Sequence, residues 1–477
     1  MPKRKISDLF LYKHRYLAGY ILLGVVFAVI LIVAQFVTGG LSSSEMANSV
    51  SSAKLGSNFF SADIVNLPFK LLQWASISIF GLSVWSIKLP AVILAACSGV
   101  AIIFLLRRWS KMSVVIPAAI LLVASSQFLF SAQDGTPNIL YILLPVLILL
   151  CGHIAGSSKQ LHLPALLATS ALLAISIYTP FLIYFVIAIV AICLVHPRIR
   201  LAIRTTARWH LWLVLATFLI FIAPLILAIV NQPDTLRLVL TNGATDVNIL
   251  RGFNQFITTL FFSRAQADGA FLTPVYGLPT TALMIIGFVY GLKQRHRTKY
   301  YVILGWLAIS VAVLVFDPSA TTLVFAPLAL LLTKGLAIVI QKWYNLFPGN
   351  PYARVAGLAP IAFLIFTICL TSVLHFVFGY HYSPQVAKHY SDDLTLVRNN
   401  MSDGTVILAK HDSLEYDFYK LLERREKVTV LSALPEERPK QLIAIGKQGA
   451  ATSSNLTLIR IVTSGRIDDA NRLYIYR

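Results

Sequence analysis

Three carboxylates carry the chemistry that this sequence offers. Glu45 and Asp63 lie in one polar stretch, 39–85, and Asp134 lies in a short turn, 131–138, with long apolar runs on either side. A carboxylate beside a cavity at a membrane surface can take a proton from an acceptor hydroxyl, orient a sugar, or help to hold a divalent metal. On two adjacent loops the three can converge, which makes Glu45, Asp63 and Asp134 the candidate catalytic residues. Taken singly, each also reads as a solvated loop charge. Lys88 stands at the start of the next apolar run and reads as a helix-end anchor.

The elements that must position these residues are membrane spans. The chain has 477 residues, 57% of them hydrophobic and 13% charged, with mean hydropathy +0.74. Apolar runs of about 20 residues mark transmembrane helices. They fall at 16–37, 86–106, 112–130, 138–155, 161–179, 181–195, 211–230, 280–292, 300–316, 321–341 and 355–379, giving 11 candidate spans. The first is too long for a signal-peptide core and lacks a clear cleavage site, so it reads as a retained span. The formal charge of +20 is not one patch. Its positives sit in short clusters at every second connection: before the first span, at Arg107-Arg108 and Lys111, at Lys159, at Arg198 to Arg208, at Lys293 to Lys299, and at Lys342 and Arg354. That is the signature of cytoplasmic loops, not of nucleic-acid binding, and it places the N-terminus inside.

Polar length therefore accumulates outside, in loops 39–85 and 231–279 and in everything after the last span. Phe253, Phe256, Ile257, Leu260 and Phe261 recur at helical spacing, as in an amphipathic helix that lies at the interface or packs on the bundle. Residues 384–477 alternate short strand-like runs with charges of both signs. Runs at 405–409, 428–431, 441–445, 456–462 and 473–476, with a helix over 414–422 capped by Asp412 or Ser413, predict a small extracytoplasmic α/β domain. The fold class expected is an all-α polytopic membrane protein, domain 1–383, with that C-terminal α/β domain, 384–477. The four cysteines lie inside apolar runs and imply neither a metal site nor a disulfide framework. Acidic residues buried in the spans, which an ion-coupled pump would need, are absent from the runs, and Lys334 can snorkel to the inner surface.

The stretch Leu67-Pro68-Phe69, Phe80-Gly81-Leu82-Ser83, Lys88-Leu89-Pro90 and the span ending at Arg107-Arg108 resembles the first outer loop and second span of the GT-C glycosyltransferases, in their protein O-mannosyltransferase-like and aminoarabinose-transferase-like branch. Ser131 to Asn138 is similar to the family's entry to its fourth span, and Ser44-Glu45-Met46-Ala47 stands where the family has an acidic pair before Ala. The resemblance implies a GT-C fold and transfer of a sugar from a polyprenyl-phosphate donor, at the outer face of the cell membrane, to a lipid, glycan or protein acceptor. It implies that Glu45 and Asp134 border the active cavity; the roles expected are Glu45 as carboxylate base or acceptor orienter, Asp63 as a second carboxylate, and Asp134 as support for the loop or a metal. Donor phosphate would need cations at that face, for which Lys54, Lys70, Arg237, Arg251 and Arg264 are available, with Asn66 as a further substrate-binding candidate. The residues point to no certain cofactor, and a divalent metal is one reading of the carboxylates. Ser44 replaces the first acid of the family pattern. The competing reading is a catalytically degenerate relative that binds lipid-linked glycans or scaffolds envelope assembly.

Overall fold

The computed structural model describes residues 15–56, 63–243, 249–262, 274–346, 351–383, 389–409, 413–434, 439–445, 456–463 and 472–477. Its body is a bundle of apolar helices: α1 (Arg15–Val37), α4 (Val84–Trp109), α5 (Met112–Val123), α6 (Ser126–Gln133), α7 (Leu140–Ser157), α8 (His162–Ser176), α9 (Leu182–Val195), α11 (Arg208–Asn231), α14 (Leu278–Lys293), α15 (Thr298–Phe316), α16 (Phe325–Asn345) and α17 (Pro351–Tyr382). Between them lie shorter elements: α2 (Ser43–Lys54), α3 (Leu67–Phe80), α10 (Pro197–Thr205), α12 (Asp234–Thr241) and α13 (Ile249–Phe261). Among the described residues, 7 helices are long and apolar enough to cross a membrane, or up to 9 if the bent pairs α5–α6 and α9–α10 each count as one span. The remaining two expected spans correspond to α8 and α14, which are shorter apolar helices of 15 and 16 residues. At about 1.5 Å per residue these cross only part of a hydrocarbon layer about 30 Å thick. Prolines 90, 117, 145 and 224 sit inside spans, where a chain surrounded by neighbouring helices tolerates them.

The bundle has two unlike ends. α4 starts at the polar stretch and finishes at Arg107, Arg108 and Trp109. At that second end Lys299 Nζ donates to the Trp109 carbonyl at 3.2 Å, Arg107 lies over the Tyr20 ring at 5.3 Å, and Lys334 lies over Tyr290 at 4.1 Å. The basic connections that the sequence assigns to one side thus gather at one end. α10 bends 83° away from α9 there and buries none of its residues. The Phe253–Phe261 pattern is helix α13, which buries Gly252, Thr259 and Leu260 against the bundle and leaves Phe253 half-exposed.

The opposite end is covered by an α/β layer. Five strands, β3 (Thr405–Leu408), β4 (Thr429–Leu431), β5 (Gln441–Ile445), β6 (Leu458–Thr463) and β7 (Arg472–Tyr476), form one sheet in the order β4-β3-β5-β7-β6. β3 runs parallel to β4 and β5, while β7 runs antiparallel to β5 and β6. Helix α18 (Asp393–Asn400) precedes β3. Helix α19 (Leu414–Tyr419) crosses from β3 to β4, and Ser413 is its cap, accepting from the Tyr416 amide at 3.2 Å.

The layer and the 39–85 stretch are one packed unit. Leu41, Met46, Val50, Leu82 and Ile87 share a core with Leu394, Ile407, Phe418 and Tyr419. A two-residue strand β1 (Leu41–Ser42) pairs antiparallel with β2 (Tyr390–Ser391). This approach is close: a Cβ on Gly40 would lie 2.5 Å from the Ser391 carbonyl oxygen. Arg425 donates to the carbonyls of Ser78 and Ile79 at the end of α3.

Candidate active site

Helix α2 starts where Ser42 can cap it. The Ser42 hydroxyl accepts from the Glu45 amide at 3.2 Å, and Glu45 Oε2 accepts from the Ser42 amide at 2.7 Å. This reciprocal box satisfies two donors that a helix start leaves open, and it turns the Glu45 carboxylate inward. The second oxygen, Oε1, accepts from the Gly135 amide at 2.7 Å and lies 3.7 Å from Lys88 Nζ. Glu45 and Lys88 are fully buried. Lys88 also donates to Thr38 Oγ1 at 2.8 Å and to Gln133 Oε1 at 3.1 Å, and its ammonium lies 5.7 Å from the Tyr390 ring centre. A buried ion pair is tolerated only when its remaining hydrogen-bonding capacity is met, as here. Lys88, expected to be an anchor at a helix end, is instead the counter-ion of Glu45, because the α/β layer closes over that end of α4.

Gly135 meets a steric requirement. A Cβ there would lie 3.0 Å from Ile87 Cγ2 and 3.2 Å from Glu45 Oε1. Its carbonyl accepts from Gln73 Nε2 at 3.0 Å. Gln73 also donates to the Ile87 carbonyl at 3.1 Å and accepts from the Ser52 hydroxyl at 2.7 Å. Asp134 is buried next to Gly135 and accepts from the Thr136 amide, the Thr136 hydroxyl and Asn138 Nδ2. Burial, and then the charge of Glu45, push its carboxyl up to about 7, against the pull of those hydrogen bonds and of Lys88.

Asp63 is the carboxylate open to solvent, with its side chain 49% exposed. It pairs with Lys70 Nζ at 2.6 Å, and Lys70 donates to the Asp63 carbonyl as well, at 3.0 Å. Lys70 itself is buried. Burial lowers its pKa, and the Asp63 charge and hydrogen bond oppose that shift. Lys70, Gln73 and Ser76 recur every three residues, so they face one side of α3, and all three are buried. Lys70, the partner of Asp63, is thereby one helical turn along α3 from Gln73, which donates to the Gly135 carbonyl.

Asn66 ends the loop in a left-handed conformation, φ 61°, and its amide donates to the Tyr178 carbonyl at 2.7 Å. Its Oδ1 is buried without a partner among the described residues. Phe181, three residues after Tyr178, also has a left-handed backbone, φ 64°, rare for a bulky side chain. Its ring lines a cleft of about 350 Å³ with Tyr184, Leu240, Val313, Phe316 and Asp317. The wall is apolar, and the cleft lies between α9, α12 and α15 at the end of the bundle that carries the α/β layer.

The sequence candidates thus divide. Glu45 and Asp134 meet through Gly135, whereas Asp63 pairs with Lys70. Lys54 pairs with Asp417 of α19 at 3.5 Å, both side chains exposed. Arg237 and Arg251 are exposed on α12 and α13, and Arg264 lies outside the described residues. Ser44 is exposed on the first turn of α2, its hydroxyl 2.9 Å from that of Ser42. Among the described residues no three His, Cys, Asp or Glu side chains converge as metal ligands. Glu45 and Asp134 direct their oxygens at protein donors, which does not fit a resident divalent ion. Gln73, Thr38 and Gln133 went unmarked in the sequence. The three-residue spacing of Lys70, Gln73 and Ser76 in an otherwise apolar helix was the signal available.

Residues 67–227 match the family model described as dolichyl-phosphate-mannose-protein mannosyltransferase. No curated protein matches the sequence significantly. Among solved structures the chain is similar to ArnT from Cupriavidus metallidurans bound to undecaprenyl phosphate, at TM-score 0.58 and 13% identity over 96% of this chain and 98% of that one. It is similar to the same protein in the apo state, at TM-score 0.51 and 15% identity over the same shares. It also resembles the apo oligosaccharyltransferase of Archaeoglobus fulgidus, at TM-score 0.52 and 12% identity, covering 88% of this chain and 65% of that one. The expected GT-C architecture, a polytopic helical body with a small α/β layer, is the one observed.

Proposed function

We propose, from the premise that this chain is by fold a GT-C superfamily membrane protein, that it transfers a sugar from a polyprenyl-phosphate-linked donor to a lipid, glycan or protein acceptor. The transfer occurs at the end of the bundle that carries the α/β layer, and that end faces out of the cytoplasm. In the same reading the chain divides at residue 384 into a membrane domain and an extracytoplasmic domain. The observation that carries this is one of placement. The segment 67–227, which matches the mannosyltransferase family model, itself supplies Lys70, Gln73, Lys88, Asp134 and the Phe181–Ile187 wall of the apolar cleft. Part of the charged cluster and one wall of a groove suited to an isoprenoid tail therefore come from the same piece of chain.

The roles follow from exposure. Asp63 is accessible and held in place by Lys70, so it is the group that takes the proton of the acceptor hydroxyl as the acceptor oxygen bonds to the anomeric carbon. The anomeric carbon–oxygen bond to phosphate breaks, and polyprenyl phosphate leaves. Its charge requires cations at the same face, drawn from Lys54, Arg251 and Arg264. Asn66, with a buried and unpartnered carbonyl oxygen, is placed to accept from a sugar hydroxyl. Glu45 and Asp134 are closed off by their own hydrogen bonds, and they position the two loops. Transfer of label from a radiolabelled polyprenyl-phosphate sugar to an acceptor in membranes, lost in Asp63→Asn, tests this reading. Donor binding by the wild type with no transfer would favour the non-catalytic alternative.

A further inference from the structure

A second, larger cleft opens toward the basic end of the bundle and adjoins the first at Ile309, which lines both. It measures about 1000 Å³ and runs between α9, α10 and α15. Its polar wall is His196, Arg198, Arg295, His296 and Tyr301. Its apolar wall runs along the bundle through Ile192, Leu304 and Ile309. His196 is only 6% exposed, and its Nδ1 is buried without a partner among the described residues, although its ring packs edge-on to Tyr301 at 5.5 Å. An unpaired buried ring nitrogen at the wall of a cationic cleft points to a ligand that completes it.

Charge narrows the choice of ligand. The sequence has no Asp or Glu between residues 135 and 233, between 269 and 316, or between 318 and 391. The connections at Lys159, Arg198 to Arg208, Lys293 to Lys299 and Lys342 to Arg354 therefore bring no acid of their own to neutralise Arg198 and Arg295. α10 leaves α9 at 83°, exposes Arg198, Arg200 and Arg204, and half-exposes Ile203, which is the habit of an amphipathic helix lying in the headgroup layer. A soluble anion would fill the polar wall but not the apolar one. A lipid with a phosphate and a long chain fills both.

We propose that this cleft is a binding site for an anionic glycerophospholipid, its phosphate held among His196, Arg198, Arg295 and His296 and one acyl chain lying along Ile192, Leu304 and Ile309. The site meets the first cleft at Ile309, but it does not depend on the sugar-transfer reading. Basic pockets between spans at one leaflet are a recurrent way of holding such headgroups.

Native mass spectrometry of the full chain, released from nanodiscs of phosphatidylglycerol or of phosphatidylcholine, tests the proposal. The wild type should retain phosphatidylglycerol in preference to phosphatidylcholine, and Arg198→Ala with Arg295→Ala should reduce the retained fraction at least tenfold. The pair Arg200→Ala with Arg204→Ala removes the same total charge, both from α10, without touching the cleft and should retain lipid as the wild type does. Equal retention of the two lipids, or equal loss in the two double variants, overturns the site in favour of a diffuse charge effect. Thermal stabilisation by inorganic phosphate as large as that by phosphatidylglycerol overturns the lipid assignment.

Discussion

The Gly135 amide donates to Glu45 Oε1 at 2.7 Å across 90 positions of sequence. With the bond from Gln73 Nε2 to the Gly135 carbonyl, it joins the first polar loop to the turn that carries Asp134. It forms only because Ser42 has already fixed the other carboxylate oxygen and Lys88 lies below the first.

The Glu45–Lys88 pair should therefore behave as a buried unit. Glu45→Gln alone or Lys88→Met alone leaves a buried charge unmatched and should cost roughly 3–5 kcal/mol. The double variant should cost less than the sum of the two. Thermal unfolding of all four proteins in detergent gives the coupling directly, and strict additivity would refute it.

Asp63 and Lys70 should separate from that pair in what they affect. Because Asp63 is half-exposed while its partner Lys70 is buried, Asp63→Asn should lower the melting temperature by less than Glu45→Gln does, and lower transfer by roughly 10²- to 10⁴-fold. Lys54→Ala, which breaks an exposed pair, should change stability by less than about 1 kcal/mol. Transfer assays beside melting curves resolve the two effects. A large stability loss in Asp63→Asn would make it a structural residue.

Asp134 sets a pH dependence. Its folded pKa is raised to about 7, mainly by burial and then by Glu45, whereas the unfolded carboxyl titrates near about 3.9. Between these values the folded state holds a proton that the unfolded state has lost. Stability is therefore greatest at the acid end, falls as pH rises from about 4 to about 7, and is flat in this group above that. The loss is on the order of a few kcal/mol. Asp134→Asn should flatten the melting temperature between about pH 5 and about pH 7.5, within about 1 °C; an unchanged slope would assign the titration elsewhere.

The layer over the site should depend on Gly40. A Cβ there meets the Ser391 carbonyl at 2.5 Å, so Gly40→Val should part β1 from β2. The C-terminal layer should then be released by limited proteolysis before the helical body, whereas in the wild type the two resist together.

The membrane body was legible in the sequence because a helix of about 20 apolar residues has no polar face to turn to water, and each expected run coincides with a helix or a bent pair. The short strands at 405–409, 428–431, 441–445, 456–462 and 473–476 were legible through short apolar runs bounded by charged and turn-forming residues. Lys88 was not, because burial of a lysine depends on what closes over it, here Thr38, Gln133 and Tyr390 of a strand far along the chain. The α10 bend was hidden too. His196-Pro197 marks a break between helices, and nothing local tells whether the chain then turns across the bundle. Glu45 and Asp134 drew notice as carboxylates, but only their hydrogen bonds reveal that they are closed off while Asp63 is open.

We propose that Asp63, braced by Lys70, takes the acceptor proton as polyprenyl phosphate leaves the lipid-linked sugar. The most direct measurement is the appearance of free polyprenyl phosphate when purified protein in nanodiscs, supplied with a membrane extract as acceptor source, is given polyprenyl-phosphate mannose, glucose, galactose or arabinose in turn. The account predicts release from at least one donor by the wild type, near-complete loss in Asp63→Asn, and full folding of that variant. Release at wild-type level by Asp63→Asn, or none from any donor by a well-folded wild type, would contradict it.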